Sequence, residues 1–209
     1  LYDHQTDAMA LVSGANGSPT QGGNGTCAEP VISGDGAFIT FWSRATNLMA
    51  GGSGPDVQNI YVWERASGVM MLVSESVSST GQRGNSHSSN PVVSGDGAYV
   101  AFLSQATDLI TGGSGPSTQN AYVWERASGD VTLVSESVTA SARRANGGSY
   151  QPAISDDGAH VAFLSDATDL VSGGSGPVLG NVYAWERSSG SISLVSESIA
   201  AAEQRGNNS

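Results

Sequence analysis

The stretch Pro91-Val92-Val93-Ser94-Gly95-Asp96-Gly97-Ala98-Tyr99-Val100-Ala101-Phe102-Leu103-Ser104 decides the fold. Its second half is short, β-branched and aromatic, with apolar residues at successive positions, which is the pattern of a strand buried on both faces. Such a strand belongs to a sheet stacked between two others. Gly95-Asp96-Gly97 supplies a tight turn with a left-handed residue and folds the stretch into a hairpin. Close copies of the hairpin stand at 30–43 and 152–165.

Every other landmark keeps the same 61-residue step. Leu-Val-Ser starts at Leu11, Leu72, Leu133 and Leu194; Gly-Gly-Ser-Gly-Pro at Gly51, Gly112 and Gly173; Trp-Glu-Arg at Trp63, Trp124 and Trp185. Residues 72–132 and 133–193 share about 35 of 61 positions without a gap. Each unit reads as four strands: A over 91–94, B over 99–104, C over 121–126 and D over 131–137, with room for one helical turn over 106–110. Four short antiparallel strands at a fixed period predict an all-β fold, a β-propeller of four-stranded blades. A ladder-like solenoid would need shorter repeats.

The ends of the repeat divide the chain into a half blade of strands C and D (1–13), three blades (14–74, 75–135 and 136–198) and a linker (199–209) heading toward a further strand A. Propellers commonly close by completing one blade from both ends of the chain. The expectation is therefore a piece of a longer protein, a ring of six or seven blades needing roughly 370 to 430 residues. In the competing reading the open edges pair with other copies.

The chain has 209 residues, 8 Arg, no Lys, 19 acids and a formal charge of −11. Phosphate binding needs a basic stripe, which eight scattered Arg do not form, so nucleic acid is excluded as a main partner and anionic membranes are disfavoured. No apolar run approaches the roughly 18 residues of a spanning helix, so no membrane insertion is expected. The single Cys27 rules out an internal disulfide framework and a Cys-rich zinc site. The chain starts at Leu1 with no leader pattern, as a processed or partial sequence would.

The pattern Pro-x-x-Ser-x-Asp-Gly, then Val-Ala-Phe, Ala-Thr-Asp-Leu, Tyr-Val-Trp-Glu-Arg and Leu-Val-Ser resembles the TolB-like propeller repeats of secreted and periplasmic bacterial proteins, in their long-repeat subgroup. The resemblance spans every blade and implies an extracellular or periplasmic, bacterial location. It says little about activity, since propellers host many functions. In that subgroup the loop between strands B and C carries acids suited to a cation. Here the loop is Gly-Gly-Ser-Gly-Pro, the position before strand C is Asn59, Asn120 or Asn181, and Asp56 restores one acid in one blade. Calcium wants several carboxylate and carbonyl oxygens, so Asp56, Asn59, Asn120 and Asn181 form a thin calcium set, and no cofactor is expected.

Asp35, Asp96 and Asp157 are read as turn-capping residues rather than a carboxylate ring. Trp63, Trp124 and Trp185, with Tyr2 in the same phase, are read as packing between blades rather than a stacking platform. The Glu-Arg pairs beside them are expected to meet neighbouring blades or loops. Asn16, Asn24 and Asn207 stand in glycosylation sequons. Asn24, Asn85, Asn146 and Asn207 share one repeat position, which suggests an Asn suited to a left-handed turn. His4, His87 and His160 are too far apart in blade phase for a metal cluster, and no nucleophile elbow, zinc motif or phosphate loop occurs.

The leading expectation is a non-catalytic propeller that acts in protein–protein interaction, with other proteins or copies of itself, or as a building block of an extracellular assembly. Two alternatives stand beside it. One is the propeller domain of a larger secreted peptidase-like enzyme. The other is a carbohydrate-binding propeller using Trp42, Tyr150 or loop asparagines.

Overall fold

A computed structural model describes residues 1–4, 7–18, 20–173 and 180–196. Three four-stranded antiparallel sheets follow one another along the chain, preceded by a two-stranded one. The two-stranded sheet pairs β1 (Tyr2–Asp3) with β2 (Ala8–Met9). The first full blade is β3 (Cys27–Ile32), β4 (Phe38–Ser43), β5 (Asn59–Glu64) and β6 (Met70–Leu72). The second is β7 (Ser88–Val93), β8 (Tyr99–Ser104), β9 (Asn120–Glu125) and β10 (Val131–Leu133). The third is β11 (Ser149–Ile154), β12 (His160–Ser165), β13 (Asn181–Glu186) and β14 (Ser191–Leu194). Each blade runs A-B-C-D, and strand A of one blade packs on A, B and C of the blade before it. No helix among the described residues is long and apolar enough to cross a membrane.

Strand alternation explains the double-sided burial. In the second blade Val100, Phe102, Tyr122 and Trp124 face the first blade, in a cluster with Phe38, Ile60 and Val62. Ala101, Leu103, Ala121 and Val123 face the third, in a cluster with Phe163, Tyr183 and Trp185. The Phe of strand B stacks beside the Tyr of strand C in each blade, with ring centroids 5.8–6.1 Å apart.

Three details differ from the sequence reading. Strand A begins three residues earlier, at Ser88 rather than Pro91, because a bulge interrupts its register between Ser89 and Val92. The bulge residue Asn90 lies at φ 52, as do Glu29 at 55 and Gln151 at 48, each directly before the proline that cannot donate to the ladder. Strand D ends at Leu133 rather than 137. No helical turn forms over 106–110, because side chains take the backbone donors there. Ala106 N donates to Ser104 Oγ and Thr107 N to Asn85 Oδ1.

Candidate interaction surface

The repeated aspartates are exposed at the turns and are held by local hydrogen bonds. Asp35 Oδ1 accepts from Ser33 Oγ at 2.6 Å and Ala37 N at 2.9 Å, and Asp96 and Asp157 repeat the arrangement. These bonds, from Ser33 and Ala37, from Ala98 and Ser94, and from Ser155 and Ala159, hold the carboxyls of Asp35, Asp96 and Asp157 below the usual range. Gly36, Gly97 and Gly158 follow them in the left-handed region, at φ 71, 66 and 65. Neighbouring turns join through the backbone, Asp35 N to Gly95 O and Gly95 N to Asp156 O.

Trp124 and Trp185 are buried between blades, and Trp63 is half-buried against the cluster that holds Leu1 and Met70. Trp42 packs into the core between the first and second blades, while Tyr150 is exposed on the third, so the two aromatics do not form one sugar platform. Cys27 occupies the position of Ser88 and Ser149, and its thiol reaches Ser43 Oγ as Ser88 Oγ reaches Ser104 Oγ.

Asn59 and Asn120 are buried latches between the start of strand C and the end of strand D. Asn120 Oδ1 accepts from Ser135 Oγ at 2.8 Å and from Ala145 N, its Nδ2 donates to Thr118 O, and Ser135 Oγ accepts from Ala121 N. Asn59 repeats this with Ser74 and Val57, and Asn181 accepts from Ser196. Asp56 lies 3.7 Å from Arg44 at the surface, apart from these buried asparagines. Among the described residues no three His, Cys, Asp or Glu side chains are grouped to hold a metal.

At the sequons, Asn16 is exposed in a loop, and Asn207 lies outside the described residues. Asn24 is bound on both side-chain atoms, its Nδ2 donating to Thr46 Oγ1 and its Oδ1 accepting from Thr46 N. Asn85 and Asn146 make the same pair with Thr107 and Thr168. This corrects the left-handed-turn reading: none of the three has positive φ, and the requirement is a side-chain clip onto the Ala-Thr loop.

Two arginines escaped the sequence reading. Arg83 and Arg144 are only 5% and 3% exposed. Arg144 donates from Nε to Pro116 O and from Nη2 to Gly115 O, and Arg83 does the same to Pro55 and Gly54. A buried guanidinium thus ties down the glycine-rich loop between strands B and C. The signal was present as an Arg at the 61-residue step two residues before Asn85 and Asn146, with Gly22 in its place before Asn24.

What remains outward is a shallow groove that recurs with the repeat. Residues 75–80, 109–111 and 129–131 line one copy of about 310 Å³, and 136–138, 170–172 and 190–194 line another of about 470 Å³. A third, of about 740 Å³, lies at 9–18, 48–50 and 68–70 with Trp63. Val77 and Val138 stand at the lips, 54% and 53% exposed, with their amides fixed to Asp108 O and Asp169 O of the next blade.

No protein-family model matches the chain, and no curated protein matches it in sequence. Solved structures do. The tricorn protease superposes with a TM-score of 0.52 at 11% identity, over 88% of this chain and 15% of that one. TolB from Acinetobacter baumannii gives 0.47 at 16%, over 93% and 36%. The β-propeller domain of the Trilobed protease from Pyrococcus furiosus gives 0.48 at 8%, over 80% and 41%. The chain thus spans well under half the length of each. At these identities the likeness concerns architecture, and the architecture of this chain is that of a β-propeller built of four-stranded blades.

Proposed function

We propose that the chain acts without catalysis, as a secreted bacterial propeller engaged in protein–protein interaction or built into an extracellular or periplasmic assembly. The observation that carries this reading is the rim groove with its exposed valine, presented at the 61-residue step on successive blades. Equivalent sites on a rigid frame add avidity when a partner is itself repetitive. The acidic, Lys-free surface disfavours anionic partners. Sedimentation velocity and electron microscopy over a hundredfold concentration range test the assembly version. Higher-order species that diminish in a Val77→Asp, Val138→Asp double variant are expected. Monodisperse monomers throughout overturn it. A second reading, a propeller domain within a larger peptidase, draws on the tricorn likeness. A Ser-His-Asp domain in the same open reading frame would replace the first reading with it.

A further inference from the structure

The rim grooves share one frame but differ in charge. Glu75 and Asp130 line the groove of the second blade, one from each wall. In the third blade Glu136 keeps the first position and Ser191 replaces the second. In the first blade Gly14 and Val69 stand there, and that groove carries no acid among the described residues. No basic side chain among the described residues lines any of the three. The carboxylates of Glu75 and Glu136 are fixed in place, each accepting from a backbone amide, of Gly81 and of Ala142.

Each groove also runs beside the free edge of a sheet. β10 is the last strand in the order of the second blade, and β14 in that of the third. Asp130 O accepts from Glu125 N, and Val134 N donates to Ala121 O. By antiparallel alternation, Val131 and Leu133 therefore turn their N–H and C=O groups away from β9. The bond from Val195 N to Val182 O sets the same alternation in β14, where Ile192 and Leu194 turn outward. Val77 and Ile110 give the second-blade groove its apolar wall beside this edge.

An occupant has to satisfy both features. Outward backbone groups on an edge select an extended chain, because a helix spends its own N–H and C=O groups internally. Two carboxylates with no base beside them select cationic side chains. A second copy of this chain has no Lys and would bring a further −11 to the edge. We propose that the rim groove of the second blade binds an extended, Lys- or Arg-bearing segment of a partner protein, added to the outer edge of β10 with alternate apolar side chains against Val77 and Ile110. Occupancy of the three grooves follows their acid count, the second blade above the third and the third above the first. This names the partner chemistry for the interaction reading above and rests on that reading.

The probe is the peptide acetyl-Lys-Val-Thr-Val-Thr-Val-Lys-amide, titrated into the full chain with amide exchange followed residue by residue. New protection is expected first at Val131, at higher concentration at Ile192, and last at the equivalent Met70. Glutamate in place of both lysines should weaken the Val131 site by about tenfold or more. The double variant Glu75→Gln, Asp130→Asn keeps an acceptor for Gly81 N. It should weaken protection at Val131 by about fivefold and leave Ile192 unchanged. Successive amides of a paired strand point to opposite sides, so N-methylation of the valine amides and of the threonine amides should differ, one abolishing binding and the other sparing it. Equal binding of the glutamate peptide, equal occupancy of the three grooves, or binding retained by both methylated peptides overturns the proposal. So does the lack of any protection at about 1 mM lysine peptide. Peptide binding by a chain that stays monomeric leaves this site standing and removes only self-assembly. Val77-dependent assembly without peptide binding removes only the basic strand and keeps the interaction reading.

Discussion

Replacing Gly97 by alanine separates the inter-blade seat from the turn that carries it. Two costs add. Gly97 lies at φ +66, a region that costs a residue with a Cβ roughly 1–2 kcal/mol. The new methyl would also fall 2.0 Å from Phe38 Cδ2, so the ring must leave. Phe38 is only 5% exposed, and burying a Phe contributes about 1.5–3 kcal/mol. The Arg126 stack contributes about 0.5–2 kcal/mol more. With the ring only partly expelled, the total loss is about 2–5 kcal/mol. Gly36→Ala is the matched control: it has the same turn and φ +71 with nothing within 4 Å, so it loses only the conformational part, about 1 kcal/mol. Urea unfolding followed by tryptophan emission and far-ultraviolet dichroism should therefore separate the variants by about 2 kcal/mol, or roughly 4–8 °C in thermal midpoint for a chain this size. In a Phe38→Ala background the Gly97→Ala loss should fall to the Gly36 level, because the clashing partner is gone. Equal losses for the two glycine variants, within about 0.5 kcal/mol, would refute the seat.

Removing the latch oxygen in Asn120→Ala leaves the Ser135 hydroxyl proton without its acceptor in the core, at about 1–3 kcal/mol, while Ala145 N keeps Ser135 O; faster amide exchange at Ala121, which donates to Ser135 Oγ, and not at Ala101 checks it. Arg144→Met leaves the carbonyls of Gly115 and Pro116 without donors, so the loop over 112–119 should become the first site of limited proteolysis while the sheets keep their protection. Burial pushes the Tyr122 hydroxyl up to about 12, against the opposing charge of Arg144. Its folded value exceeds the unfolded one, so this stability is fully present below about pH 10 and disappears as pH rises toward about 12, by about 2–3 kcal/mol. Tyr122→Phe should flatten that alkaline slope. Chelation should leave the thermal midpoint unchanged, since Asn59 and Asn120 spend their oxygens on Ser74 and Ser135; a calcium-dependent rise would refute this.

Periodicity made the strands legible because hydrophobic alternation and turn chemistry are local properties. Tyr99 to Ser104 reads as a strand whatever lies beside it, and Gly97 reads as a left-handed turn residue. The partners were not legible, because a repeat shows which positions are held constant and not across which gap each one acts. Arg126 reads from its position as meeting a neighbouring blade or loop, but only the structure shows that its guanidinium lies on Phe38 of the preceding blade. The strand A bulge hid for a similar reason. Proline at 30, 91 and 152 marks a place where the ladder cannot continue, but only the paired register shows that the residue before it turns left-handed. The exceptions to the repeat become readable once the register is known. Ala28 stands opposite Trp42 in the first blade, and Tyr150 opposite Leu164 in the third, so the aromatic has moved across one cross-strand pair. Trp42 stands opposite the small Ala28, as Leu103 stands opposite the small Ser89, and it packs into the core between the first and second blades. A departure from the repeat that is matched by its cross-strand neighbour marks packing.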